Sequence, residues 1–267
     1  MAAKSELLDR LNAKPLRALR LIDELELAIT TFHAIAPYRI EHKDNLGTQE
    51  RTFYVSFTEQ MPFEFAAIVG DILHDLRSSL DHIAYYLVCV GQASQGPFPH
   101  VYFPIFESAQ KYHANKLEKT KGMRPDALKA IDSVEPYSGG NGTVLWHLHK
   151  MNNVDKHRLL LPVWASLAAH SLPRSQKKHF TKILQATYPG GIPFDFTHAA
   201  NGPVLLKDGA PILTLPIAEV QEPMRFQFQI AFGEPDVVKG KAVIPTLKYI
   251  ADFTLNLIED FNKAGVI

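Results

Sequence analysis

From Ser5 to about Ile35, Leu7, Leu8, Leu11, Leu16, Leu19, Ile22, Leu25, Ala28, Ile29 and Phe32 recur every three or four positions, the period of a helix with one buried face. Ser5 is placed to cap this helix. Pro15 predicts a kink or a restart, because a proline inside a helix removes a hydrogen bond and clashes with the preceding turn. Tyr38 to His42 and Arg51 to Phe57 alternate and are rich in β-branched or aromatic residues, and Asp44, Asn45 and Gly47 lie between them, so a β-hairpin is expected. Phe63 to Val90 carries Phe65, Ile68, Val69, Ile72, Leu73, Leu76, Leu80, Ile83, Ala84 and Leu87 at helical spacing, and Gly91 is read as its stop. A loop rich in proline and glycine follows from Gln92 to Pro104. Shorter helices are predicted near Ser108–Lys119 and Pro125–Val134, and after the Gly139-Gly140-Asn141-Gly142 turn another runs from Val144 to about Asn153, with Thr143 as its cap.

Beyond Arg158 the pattern changes. Short apolar or alternating runs at Leu159–Leu167, Phe180–Ala186, Val204–Leu206, Ile212–Pro216 and Arg225–Phe232 are separated by proline and glycine, which predicts a β-rich block. Helical period returns from Thr246 to Asn262. The expected architecture is one α+β domain over 1–267. Its helical bundle is formed by residues 1–157 with a C-terminal helix at 244–263, and an antiparallel β-rich block at about 158–233 is set beside it.

Composition narrows the class. The 267 residues carry 28 Lys and Arg against 28 Asp and Glu, so the net charge is zero, which removes a broad basic surface for nucleic acid. The single cysteine, Cys89, cannot form an internal disulfide, so a reducing, cytoplasmic location is expected. Cys89 itself reads as a small buried residue near the end of the second long helix. No apolar run of membrane-spanning length occurs, and Met1 to Arg10 lacks an apolar signal-peptide core, so neither membrane insertion nor secretion is expected. The twelve histidines are the compositional oddity.

Candidate chemistry collects on the second long helix. Opposite its apolar stripe stand Asp71, His74, Asp75, Arg77, Ser78, Asp81, His82 and Tyr85. At about 100° per residue, Asp71, Asp75, Ser78 and His82 share one flank, and His74, Arg77 and Asp81 the adjacent one. The face lacks Lys and Glu, the usual solvating residues of a helix, which predicts packing against another polar surface. A plain reading is a solvated face with an i,i+4 ion pair between Arg77 and Asp81.

The spacing Arg77-Ser78-Ser79-Leu80-Asp81-His82 resembles the catalytic motif of HEPN-type endoribonucleases, helical bundles that carry Arg-x(4–6)-His on one helix. The resemblance implies metal-independent RNA cleavage at a dimer interface, with Arg77 on the phosphate and His82 as acid/base. The family places Asn, Asp or His directly after the arginine, and Ser78 stands there here. The stretch from Gly70 to His82, followed by Asn153-Val154-Asp155-Lys156-His157-Arg158, is also similar to an "LH-N/D-LRS-x-LDH … N-x-DKHR" signature of uncharacterised bacterial proteins, which brings no activity with it.

A second cluster, Trp146 to Arg158, holds His147, His149 and His157 with Lys150, Lys156 and Arg158. The sequence places Asp155 to Arg158 at a helix-to-strand junction, from which Lys156, His157 or Arg158 could reach the second helix as phosphate ligands or orienters of His82. The competing reading is an ion-pair network of Asp71, Asp75 or Asp81 with Lys156 or Arg158.

Three functions follow. The first is a metal-independent HEPN-like endoribonuclease with catalytic Arg77 and His82, supported by His74, Asp81, Lys156, His157 and Arg158. The second is a non-catalytic ligand-binding or interaction protein with a buried structural His/Asp/Arg network. The third is a metal-dependent helical-bundle enzyme using Asp71, His74, Asp75, His147 and His157, although no HExxH or paired ExxH spacing occurs and the nearby cations oppose a metal. On the first reading the partners are RNA, a second copy of the chain and an antitoxin-like protein, and no cofactor is expected. Basic runs at Lys111, Lys116, Lys119, Lys121, Arg124 and Lys129, and at Arg174, Lys177, Lys178 and Lys182, are candidates to flank an RNA track or plain solvated faces. There is no phosphate-binding glycine loop and no GxSxG elbow.

Overall fold

The computed structural model describes residues 2–158, 163–168, 206–220 and 226–267. Within them the order is α1 (Ala2–Ala34), β1 (Tyr38–Asn45), β2 (Glu50–Phe57), α2 (Phe63–Gln92), α3 (Ala109–Lys119), α4 (Pro125–Val134), α5 (Thr143–Arg158), β3 (Val163–Ala168), β4 (Pro211–Pro216), β5 (Gln227–Phe232) and α6 (Val243–Lys263). The expected strand at Phe180–Ala186 and the basic run Arg174–Lys182 lie outside the described residues. The α+β class expected from the sequence is observed. The chain divides into two compact units, one comprising Met1–Glu26, Ala66–Leu161 and Ile244–Ile267, the other Leu27–Phe65 and Pro162–Val243. The hairpin thus groups with the later strands and not with the helical part that precedes Arg158.

In the first unit α1 buries Leu11, Pro15, Ala18, Ile22 and Leu25, a seam of alternating four- and three-residue steps. Pro15 sits in that seam, and the helix runs through it without a restart. The apolar face buried around Pro15 offsets the missing hydrogen bond, and α1 begins at Ala2, ahead of the expected cap at Ser5. Helix α2 is buried on more than its apolar stripe: Val69, Ile72, Leu73, Leu76, Leu80, Ile83, Ala84 and Leu87 are joined inside by Asp75, Arg77 and Ser79. A helix buried on several sides is a central element, so its polar residues face neighbours as well as water.

Each neighbour is tied to α2 or to another helix by a named contact. Lys14 and Arg17 of α1 meet Asp75. Glu26 of α1 pairs with Lys248 of α6. A Cβ at Gly70 would stand 2.8 Å from both carboxylate oxygens of Asp155 on α5, so only glycine allows that approach. Gly91 does not stop α2, which continues to Gln92; it makes room for the backbone carbonyl of Gly122, which Gln92 Nε2 also donates to at 3.2 Å. Ser108 caps α3 by accepting the Lys111 N–H, and α4 starts at Pro125, where its missing N–H is not needed.

The second unit holds an antiparallel sheet of order β1-β2-β4 and an antiparallel pair β3-β5. In the first sheet Tyr38 pairs with Phe57 and Asn45 with Glu50, and Asn45 Oδ1 accepts the Gly47 N–H in the turn. A hydrophobic cluster of this unit is formed by Phe53, Val55, Leu206, Ile212, Leu213, Leu215 and, from β5, Phe228.

Candidate functional site

The polar face of α2 and the second polar cluster do meet, and both belong to the first unit. His149 of α5 lies in the electrostatic field of Arg77, while six residues further along α5 Asp155 covers Gly70, seven residues back along α2. The two helices therefore run antiparallel where they touch.

Arg77 is buried, with 7% of its surface exposed. Its Nη1 stands 2.8 Å from Asp81 Oδ1, off the line of a hydrogen bond. Its Nη2 donates to the carbonyl of Phe103 at 3.3 Å, and Asp81 Oδ1 accepts the Phe103 N–H at 2.9 Å. One turn of α2 thus holds both backbone groups of Phe103, whose side chain is fully buried in the irregular segment before α3. A buried peptide outside a helix or sheet needs partners for its N–H and C=O; Asp81 supplies the acceptor, and Arg77 adds a second donor to a carbonyl that also accepts the Ile105 N–H at 3.0 Å. Burial pulls the Arg77 pKa down, and the Asp81 carboxylate works against that by favouring the charged form.

His82 is exposed and lies five residues, roughly 140° of helix rotation, from Arg77. It lines a cleft of about 620 Å³ between α1 and the C-terminal half of α2, with Leu7, Leu11, Tyr86, Cys89 and Val90 among its walls. Partial burial and then the charge of Lys14 lower its pKa, and Asp81 partly counters them. Arg77 and His82 therefore serve different surroundings.

The other expected site residues separate similarly. Asp75 is buried and takes Lys14 Nζ at 3.2 Å and Arg17 Nη1 at 2.5 Å, both from α1 and neither from α5. Asp71 lies 3.9 Å from Arg17. His74 is exposed and near Asp155, whose carboxyl pKa is raised by burial and then by Asp71. Lys156, His157 and Arg158 are exposed and form the last turn of α5. The sequence placed Asp155 to Arg158 at a junction turning back onto α2; the helix instead continues through Arg158, where three basic residues complement the negative end of its dipole. Asp155, one residue before these cations, reaches α2 at Gly70.

Lys119 of the first basic run and His149 of the second polar cluster lie near Arg77. Lys119, the last residue of α3, is half-buried, and its ammonium stands 4.5 Å from the Phe106 ring centroid. Burial and then the nearby Arg77 lower its pKa. Of the same basic run, Lys111 pairs with Glu107, Lys116 with Asp132 and Arg124 with Asp126, so much of that charge is locally neutralised. His149 stacks against Trp146 at 5.7 Å, and its Nε2 faces Asn153 Nδ2 at 3.0 Å. Burial, Arg77, Lys119, Lys150 and Lys156 together hold its pKa down at about 4, so the ring is neutral at pH 7. Lys14 and Arg17 could have been suspected from their spacing, three apart on α1, and Gly70 from being a glycine inside an apolar helical pattern.

Among the described residues no group of three or more His, Cys, Asp or Glu converges to hold a metal ion, and no helix is long and apolar enough to cross a membrane. No known protein family, curated protein or solved structure matches the chain.

Proposed function

We propose that the chain is a non-catalytic ligand-binding protein in which Arg77 and Asp81 are a structural clamp. The observation that carries this reading is the grip on Phe103: Arg77 donates to its carbonyl, Asp81 accepts its N–H, and Arg77 is 7% exposed. Cleavage of RNA needs a cation on the phosphoryl oxygens beside an acid/base. An arginine that is itself buried and held by the Asp81 carboxylate and the Phe103 carbonyl is poorly placed to move to a phosphate, since leaving them breaks an ion pair on its largely buried side. His82 lies on another side of α2 and faces a largely apolar cleft.

Purified protein incubated with mixed RNA in EDTA is expected to leave it intact, beside His82→Ala as a folded control. RNA cleavage that disappears in His82→Ala, with the variant's circular dichroism unchanged, would overturn the reading and support the HEPN-like endoribonuclease.

A further inference from the structure

The cleft beside His82 is a trough with three walls, all of them in the first unit. On α2 its lining is one strip, His82, Tyr85, Tyr86, Cys89 and Val90, which at 1.5 Å per residue is about 12 Å long. Helix α1 faces the strip with Leu7, Arg10 and Leu11. The third wall is the segment Ala93–Gln95, which folds back along α2. Its Ser94 N–H donates to the Cys89 carbonyl at 3.1 Å, and the Tyr85 hydroxyl donates to the Gln95 carbonyl at 2.9 Å. Hydrogen bonds from the lining residues themselves hold that wall, so the trough is formed in advance, and its volume of about 620 Å³ suits a small organic molecule.

The two ends of the trough differ in chemistry. Arg17 of α1 lies by Asp71 and Asp75, and Lys14 by Asp75, while Leu7 and Leu11 share the cleft with the strip that starts at His82. The two helices therefore run antiparallel, and Arg10, one turn before Lys14, falls near the level of His82. From there the strip runs towards Cys89 and Val90, with apolar walls.

Among the described residues that line the trough Arg10 is a cation and none is acidic. Arg10 Nη2 pairs with Glu6 at 2.6 Å, but the two side chains are 76% and 66% exposed, and a surface i,i+4 pair contributes little. Arg10 can therefore turn to a carboxylate in the trough and leave Glu6 to water. The cations around it are not so available, since Lys14 is held at the buried Asp75 and Arg77 at Asp81. Burial lowers the pKa of His82, so at pH 7 its ring is neutral and offers an N–H donor. A long apolar trough with a guanidinium and an imidazole at one end matches an unbranched chain with an anionic head.

We infer that the trough between α1, the C-terminal half of α2 and Ala93–Gln95 binds a medium-chain fatty acid, with its carboxylate on Arg10 and His82 and its alkyl chain along Cys89 and Val90. This names the ligand of the binding protein proposed above and rests on that reading. The chain gains by leaving water, and the head fixes its direction.

The test is calorimetric titration of the full chain with decanoate, octanoate, decanol and acetate, each below the concentration at which it aggregates. Decanoate is expected to bind at one site. Octanoate should bind about tenfold more weakly for two fewer buried CH₂ groups, decanol about tenfold more weakly for want of a charged partner for Arg10, and acetate not at all. Arg10→Gln should bring decanoate down to the affinity of decanol and leave decanol unchanged. Val90→Phe, which fills the trough from a half-buried position, should weaken both, with the thermal midpoint of the free protein kept. No binding of decanoate, equal affinity for decanoate and decanol, or unchanged decanoate affinity in Arg10→Gln overturns the site. A free protein that sediments as a dimer and is dissociated by Val90→Phe overturns it as well, because a second copy then covers the trough. RNA cleavage bears only on the preceding proposal, so the two fail separately.

Discussion

Removing either partner of the Arg77–Asp81 clamp is expected to destabilise the first unit by unequal amounts, and the inequality follows from exposure. The Arg77 side chain is 8% exposed and that of Asp81 27%. Asp81→Ala leaves a guanidinium that water barely reaches, together with the unpaired Phe103 N–H. Losing one partner of a buried pair costs about 3–5 kcal/mol, so about 4 kcal/mol is expected. Arg77→Met leaves a carboxylate at the edge that can rehydrate and still accepts the Phe103 N–H; only the long 3.3 Å bond to the Phe103 carbonyl is lost besides. A cost of about 2 kcal/mol follows, at the middle of the range for leaving a buried polar group without its partner. The double variant strands no charge and should cost about 4 kcal/mol, not the sum, so the coupling is about 2 kcal/mol. Urea unfolding followed by fluorescence measures this. Trp146 lies in α5, and Trp164→Phe removes the other tryptophan, so the signal reports the first unit. A larger loss in Arg77→Met than in Asp81→Ala, or additive costs, would refute the clamp.

Further outcomes follow from the same contacts. Gly70→Ala places a methyl 2.8 Å from the Asp155 carboxylate oxygens and should lower the urea midpoint, and adding Asp155→Ala should restore most of it; a Gly70→Ala midpoint equal to the parent's would show that α2 and α5 do not approach so closely. Asp155→Asn should raise stability at pH 7, because a raised folded-state pKa means the native protein holds the proton more tightly and loses stability as pH rises above the ordinary value of 3.8. That gain should vanish in unfolding curves below pH 3.8, and a gain independent of pH would contradict the assigned cause. His149 runs the other way: its folded pKa of about 4 lies below 6.5, so its contribution is present above pH 6.5 and is lost as pH falls towards 4, a slope that His149→Gln should flatten in midpoints measured over that window. Asp75→Asn should cost about 1–2 kcal/mol, less than a sealed pair because Arg17 is half-exposed and can rehydrate; a thermal midpoint shift that persists unchanged in high salt would argue against the ion pairs as its source.

The polar face of α2 shows how far the sequence could be read. That Arg77 and Asp81 pair is legible, because four residues on a helix bring two side chains together. That the pair grips Phe103 is not, because the partner is a backbone 22 residues beyond Asp81 whose path depends on a loop. Asp75 reads as a solvated carboxylate from its own helix, yet α1 covers it with Lys14 and Arg17. Arg77 and His82 fit a spacing pattern together, but rotation about α2 sends one to a buried clamp and the other to a cleft. A spacing pattern records distance along one helix, and chemistry depends on what packs against each side.

What the sequence by itself determined is local. Apolar period set α1, α2 and α6, alternation and the Asn45–Gly47 turn set the hairpin, and Pro125 set the start of α4, because each rests on interactions within a few residues. Tertiary structure alone decided that Pro15 is carried inside α1, that α5 continues through Arg158, and that Gly70 and Gly91 serve close approach. It also decided that Lys119 and His149 share a field with Arg77. Each of these depends on the burial and charge contributed by segments distant in the chain, whose free energies exceed the local preferences that a sequence displays.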